Sequence, residues 1–173
     1  MKNIFPLLIF FSSIINAQEW LTPVIEGYGK IKFSKDIAVQ PENNLEYKLV
    51  YKITTTDLRE GVNKGLNSIA HTINMLGCAN ISKDKVQIVA SISGPATSII
   101  LTDKAYKEKY KSNNPNSKII NLLSQYGVKL FVCSQATSYK NIEHSQINSN
   151  IISALSGASV LANYQLNGFA FMP

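Results

Sequence analysis

Residues 128–133, VKLFVC, form an apolar run that is followed at once by the polar residues 134–137, SQAT. Such a run is typical of a buried strand, and the polar residues after it are able to open a helix. In α/β proteins, reactive groups gather where a central strand ends and a helix begins. Cys133 stands at this junction, where a helix dipole favours a thiolate over a thiol. The sequence therefore offers Cys133 as a candidate reactive sulfur.

Strand and helix signals alternate about five times along the chain around this run. The predicted strands are residues 47–53, 86–92, 128–133, 151–155 and 169–172. The predicted helices are residues 57–76, 96–111 with a break near 102–103, 115–126, 134–139 and 158–165. This alternation predicts an α/β fold, in which helices cover both faces of a mostly parallel sheet of about five strands.

Two of the predicted helices carry capping signals. Asp57, with Glu60 three residues later, is close to a capping box and predicts the start of the first long helix. Gly77 is a natural stop for that helix. Asn114 as the cap and Pro115 at the first helical position predict the start of the helix that precedes the run at 128–133.

Residues 1–17 have the pattern of a secretory signal peptide. Lys2 gives a positive start, an apolar run follows, and small and polar residues lead to Ala17. We expect cleavage after Ala17 and an exported protein, either periplasmic or extracellular. The alternative is a membrane-anchored form, although the apolar run is shorter than the ~20 residues that a spanning helix needs. No later segment of the sequence is apolar enough to span a bilayer.

After cleavage, the chain divides into an arm and one domain. Residues 18–45 contain several prolines and glycines and a broken apolar pattern, which predicts an N-terminal arm that covers a sheet edge or reaches a neighbouring subunit. Residues 46–173 form the predicted α/β domain. The formal net charge of +6 is only mildly basic, and a solvated helix face accounts for the densest cluster, Lys104, Lys107, Lys109 and Lys111. We therefore expect no nucleic-acid partner.

The two cysteines and two histidines leave several alternatives open. In an exported protein an even pair of cysteines suggests a disulfide, but a bridge between Cys78 and Cys133 requires close Cα atoms, which spacing does not reveal. His71 is expected to be structural. His144 follows Cys133 by 11 residues and is able to approach it, which would raise the nucleophilicity of the thiol. No metal-ligand spacing and no glycine-rich phosphate motif is present, so neither a metal nor another cofactor is predicted.

Several motifs together resemble the DsrE/DsrF-like sulfur-relay family, which has the YchN-like fold. They are residues 93–97 (SGPAT), 114–116 (NPN), 126–128 (YGV), 131–135 (FVCSQ) and 164–170 (YQLNGFA). The resemblance covers about residues 46–173, and the arm segment 23–29 (PVIEGYG) is similar to exported members. It implies a three-layer, flavodoxin-like domain that assembles into homo-oligomers, either trimers or hexamers.

The resemblance also implies a function for Cys133. In relay members, a cysteine after a central strand carries a persulfide, and Cys133 occupies the matching position. Cys133 would then accept sulfane sulfur from a donor protein and pass it to an acceptor protein. The chain departs from many relatives at residues 93–94, where Ser-Gly replaces His-Gly, and at residues 138–141, which lack Arg-Gly.

A second interpretation is a non-catalytic, oligomeric module that binds a small ligand or serves assembly. Polar residues at the strand ends are expected to converge into a pocket near subunit contacts. These candidate binding residues are Ser93, Gly94, Thr97, Ser134 and Gln135. Cys133 is expected at the same place. The alternative to a reactive Cys133 is an inert, small buried hydrophobe, as free cysteines often are.

Overall fold

The structure is a computed structural model that describes residues 19–173. The predicted signal peptide, residues 1–17, lies outside the described residues. Within residues 19–173, no helix combines the length and the apolar character needed to cross a membrane.

The centre of the domain is a five-stranded sheet in which every neighbouring pair of strands is parallel. The strands of this sheet are β1 (Tyr47–Ile53), β4 (Val86–Ile92), β5 (Lys129–Cys133), β6 (Ile151–Ala154) and β7 (Ala170–Met172). A separate short hairpin pairs β2 (Leu58–Arg59) with β3 (Val62–Asn63). The order in the large sheet is β6-β5-β4-β1-β7. The predicted parallel sheet is confirmed.

Helices pack on both faces of this sheet, as predicted. The helices are α1 (Lys64–Cys78), α2 (Asp103–Tyr110), α3 (Ser117–Tyr126), α4 (Ser134–Tyr139) and α5 (Gly157–Leu166). On one face, α1 and α3 contact each other and bury residues in the larger hydrophobic core. On the other face, Val160 of α5 packs against Val50 and Val89 of the two central strands. The result is the three-layer, flavodoxin-like α/β arrangement.

The predicted start of the first long helix at Asp57 is wrong. Residues 58–63 form the β2–β3 hairpin, because Glu60 and Gly61 both have positive φ angles, 53° and 79°, and so make a turn. The helix begins at Lys64, and its cap is Asn63, whose Oδ1 accepts from the backbone N–H of Gly65 at 2.9 Å. The prediction failed because Leu58 and Val62 continue the apolar spacing of the helix toward the N-terminus, although both residues belong to the hairpin.

The helix before β5 also begins later than predicted. Asn114 Oδ1 accepts from the backbone N–H of Asn116 at 3.0 Å, so Asn114 does cap a turn there. The α-helix itself starts only at Ser117. The predicted break in the helical region 96–111 is confirmed, since a 3₁₀ helix covers Gly94–Ile100 and Thr102 caps α2 through its bond to the Ala105 N–H.

The described part of the N-terminal arm, residues 19–45, lies against α1 of the same chain. Asn74 of α1 is completely buried and uses its whole side-chain amide to hold the arm. Its Oδ1 accepts from the N–H groups of Val24 and Ile25 at 2.9 and 2.8 Å. Its Nδ2 donates to the carbonyls of Tyr28 and Gly29 at 2.8 and 3.1 Å. A single side chain thus pairs four backbone groups of the arm, in addition to the bridge between Leu21 and Ile31 within the arm itself.

We expect Asn74→Ala to lower the free energy of unfolding by about 3 kcal/mol, because it leaves four backbone groups without partners. Urea unfolding followed by circular dichroism measures this change. Asn113→Ala, at an exposed position, is the matched control. A loss for Asn74→Ala no larger than that of the control would show that the arm is not anchored in this way.

Candidate functional site

Cys133 is the last residue of β5 and the N-cap residue of α4. The parallel register pairs Ile92 of β4 with Val132 and pairs Cys133 with Ala154 of β6. Cys133 therefore lies at the carboxyl edge of the sheet, between the segment that follows β4 and the segment that follows β6. Its residue is only 8% exposed.

An open groove of about 450 Å³ gives access to this position. Its lining residues are Ser93, Gly94, Pro95, Cys133, Gln135, Ala136, Tyr139 and Lys140. We call this the Cys133 groove. One wall comes from the turn after β4 and the other from α4, so the groove exists because β4 and β5 end side by side.

The β4 wall of the groove is shaped by a sharp turn at Gly94. The N–H of Ser93 still follows the sheet and donates to the Ile53 carbonyl at 3.0 Å. Gly94 then has a φ of +59°, which side-chain-bearing residues rarely adopt. Thr97 is buried behind the turn, and its Oγ1 donates to the Gly94 carbonyl at 2.8 Å. Thr97 fixes the turn and is not part of the lining.

The α4 wall is tied to the segment after β6. The Leu155 carbonyl accepts from Ser134 Oγ at 2.9 Å and from Gln135 Nε2 at 3.3 Å. Gln135 lines the Cys133 groove, whereas Ser134 does not. Of the five expected binding residues, the structure thus brings Ser93, Gly94 and Gln135 to the groove and leaves the other two behind its walls.

Family and structural comparisons agree with this architecture. The model of the DsrE/DsrF-like family matches residues 56–173. The chain belongs to the DsrE/DsrF-like family. Among solved structures, it is similar to the protein of unknown function MTH1491 from Methanobacterium thermoautotrophicum, with 16% identity and a TM-score of 0.50. That match covers 73% of this chain and 97% of the other, and at this identity it concerns the fold alone. No curated protein matches the chain.

In this DsrE/DsrF-like domain, sequence reasoning missed four lining residues: Pro95, Ala136, Tyr139 and Lys140. The signal for three of them was present in the spacing of α4. Residues 135, 136, 139 and 140 follow one another at helical intervals of one, three and one, which places them on one helix face. The face that points into the groove became evident only with the packing of α4 beside β5.

The second cysteine is far from this site. Cys78 ends α1, which leads from the carboxyl end of β1 back toward the start of β4. It therefore lies near the amino edge of the sheet, whereas Cys133 lies at the carboxyl edge. Strands of this length separate the two edges by about 20 Å, so a bridge within one chain is excluded and both thiols are free. Partial burial raises the pKa of the Cys78 thiol, which disfavours its thiolate.

The histidines do not join the site either. His71 Nδ1 lies 2.9 Å from the Lys30 carbonyl of the arm, which is the structural role expected for it. His144 is exposed in the 3₁₀ segment His144–Gln146 and does not line the Cys133 groove. The approach of His144 to Cys133 is therefore not observed. Within residues 19–173, no cluster of three or more His, Cys, Asp or Glu side chains is arranged to hold a metal ion.

Proposed function

We propose that this protein accepts sulfane sulfur on Cys133 as a persulfide and passes it to a second thiol. The observation that carries this proposal is the placement of Cys133 at the strand-to-helix junction, where it lines an open groove. Membership in the DsrE/DsrF-like family supports the same chemistry. The donor would be a partner protein or small molecule that carries a persulfide or polysulfide, and the acceptor would be a partner protein or small molecule that carries a thiol.

The proposed reaction needs no external oxidant. The Cys133 thiolate attacks the outer sulfur of a donor persulfide, a new S–S bond forms, and the old S–S bond breaks. Both electrons of the broken bond leave with the donor thiolate. An acceptor thiolate then attacks the outer sulfur on Cys133 in the same way and restores the Cys133 thiolate.

Low exposure suits this task. A persulfide in bulk solvent is exposed to oxidants and to small thiols that remove its outer sulfur. At Cys133, only 8% of the residue is exposed, so contact with solvent is limited to the groove. The groove is nevertheless wide enough, at about 450 Å³, to admit the end of a small donor or a flexible chain segment.

We expect polysulfide to add one sulfur atom to Cys133 of the folded protein, as measured by mass spectrometry of the intact chain and of its peptides. Cys133→Ser should abolish the addition. Cys78→Ser is the matched control and should keep it, because Cys78 lies at the other edge of the sheet and burial disfavours its thiolate. A folded wild-type protein without the adduct on Cys133 would overturn the proposal.

A specific surface favours self-assembly as a second candidate function. All Lys, Arg, Asp and Glu residues of the chain precede Ser145, so residues 145–173 carry none. These residues form β6, α5 and β7, and we call them the charge-free segment. Several of their apolar side chains are exposed: Ile152, Leu155, Leu166 and Phe171.

The charge-free segment has the composition of an interface core, since interface cores are depleted of charged residues. Because β6 and β7 are the two opposite edge strands of the sheet, the exposed apolar side chains of this segment lie at more than one place on the surface. The rest of the chain carries a formal net charge of +6, so two copies repel each other least where neither has a charge. We therefore propose that copies of this chain associate through the charge-free segment, as a homo-oligomer of three or six subunits by analogy with the family.

We expect the double substitution Leu155→Lys and Leu166→Lys to dissociate the oligomer without unfolding the chain. Both residues are exposed in the single chain, 75% and 86% respectively, so the new charges are hydrated there and desolvated only in an interface. Sedimentation equilibrium at micromolar concentration measures the mass. Leu58→Lys, at a residue 65% exposed on the β2–β3 hairpin, is the control and should stay oligomeric. A monomeric wild type, or an unchanged mass for the double variant, contradicts this interface.

We also propose that the protein is exported and cleaved after Ala17. The charge and apolar pattern of residues 1–17 supports this location, which is periplasmic or extracellular. N-terminal sequencing of the protein from fractionated producing cells should find Gln18 first, outside the cytoplasm. A cytoplasmic protein that retains residues 1–17 would exclude export.

A further inference from the structure

Lys140 is the only charged residue among those that line the Cys133 groove. Its residue is half-buried, and its backbone N–H closes the last turn of α4. Within residues 19–173, the only salt bridge joins Lys48 to Glu46, so no carboxylate lies within 4.0 Å of the Lys140 ammonium. A lysine that forms no ion pair with any of the described residues therefore lines the groove.

Within the part of the chain that the structure describes, the thiol of Cys133, which also lines this groove, has no hydrogen-bond partner either. Cys133 is more than nine-tenths buried, and its sulfur has no hydrogen bond to any of the residues that the structure describes. The remaining lining residues are uncharged. A buried nucleophilic sulfur and an unpaired cation thus share one groove, which is the combination that attracts an anionic reactant.

The charges on the other side of Lys140 do not cancel its own. Lys140 also lines a neighbouring groove of about 210 Å³, where α2 contributes Glu108 and Lys109. These two side chains carry opposite charges, and both are exposed. Their fields largely offset each other in solvent, so the positive charge of Lys140 persists.

We propose that Lys140 forms an anion subsite beside Cys133 and makes the groove selective for small anionic sulfur donors. This inference rests on the proposed function of Cys133. Thiosulfate is the simplest member of the class. The Cys133 thiolate attacks the outer sulfur of thiosulfate, a new S–S bond forms, and the S–S bond of thiosulfate breaks. Its two electrons leave with sulfite, whose growing negative charge the Lys140 ammonium stabilises.

A pair of alkylating reagents tests the subsite without any sulfur transfer. Iodoacetate and iodoacetamide react with a thiolate at the same carbon, but only iodoacetate is an anion. For Cys133, we expect Lys140→Gln to lower the ratio of the iodoacetate rate to the iodoacetamide rate by about tenfold, as expected for one nearby charge in a partly screened site. Lys140→Arg should keep the ratio. An unchanged ratio in Lys140→Gln overturns the subsite.

Two controls separate this effect from net charge and from folding. Lys104→Gln removes the same charge from an exposed position on α2, outside the groove, and should leave the ratio unchanged. If Lys140→Gln does not fold, the wild type still decides the matter. Added NaCl should then slow iodoacetate more than iodoacetamide at Cys133, because salt screens the Lys140 charge. Equal slowing of the two reagents would exclude the subsite.

Sulfur transfer from thiosulfate forms the second arm of the experiment. Formation of the Cys133 persulfide at a rate that falls about tenfold in Lys140→Gln supports both the subsite and the donor class. A changed alkylation ratio without any persulfide supports the anion subsite and overturns thiosulfate as a donor, while the polysulfide experiment on Cys133 decides the proposed function separately. Persulfide formation with an unchanged ratio supports the function and overturns the role of Lys140.

Discussion

The parallel pairing of β4 with β5 is the constraint on which the site depends. Its register pairs Ile92 with Val132, so β4 and β5 end side by side at the same edge of the sheet. The residues that come next, Ser93 and Cys133, are therefore neighbours although 40 positions separate them in the sequence. A shift of one residue in this register would turn Cys133 to the opposite face of the sheet. The position of the groove is thus set by strand pairing, and the lining side chains determine only its detailed shape.

Two buried asparagines, Asn114 and Asn116, connect the segments that pack next to this edge of the sheet. Asn116 Oδ1 accepts from the backbone N–H of Asn63 at 2.7 Å, and its Nδ2 donates to Asn114 Oδ1 at 3.1 Å. Asn114 Nδ2 donates to the Ile99 and Leu101 carbonyls at 2.8 and 2.7 Å. These bonds join the starts of α1 and α3 to the end of the 3₁₀ helix that begins at Gly94. Residues 114–116 therefore serve the shape of the groove, although none of them lines it.

The sequence predicts the strands better than the site, and the reason is physical. The runs at 47–53 and 86–92 consist mainly of apolar residues, most of which are buried, and such runs are recognisable from the sequence alone. Helix starts depend on competition between polar side chains. Asn63, and not Asp57, caps α1, because residues 60–61 adopt positive φ angles and form a turn. The spacing of apolar residues does not reveal such a turn. Thr97 has the right residue type and position, but its hydroxyl is used by the Gly94 carbonyl, and only tertiary packing decides that.

Leu155 connects the groove to the charge-free segment. Its carbonyl accepts the hydrogen bonds of Ser134 and Gln135, which hold α4, while its side chain extends into solvent. In the proposed oligomer, a second copy would bury that side chain and restrain the segment after β6. The restraint would pass through two hydrogen bonds to the helix that carries Gln135 and Lys140. Sulfur transfer and self-assembly, as proposed, are thus compatible roles for one molecule, because Leu155 belongs to the charge-free segment and its carbonyl also holds the helix that lines the groove.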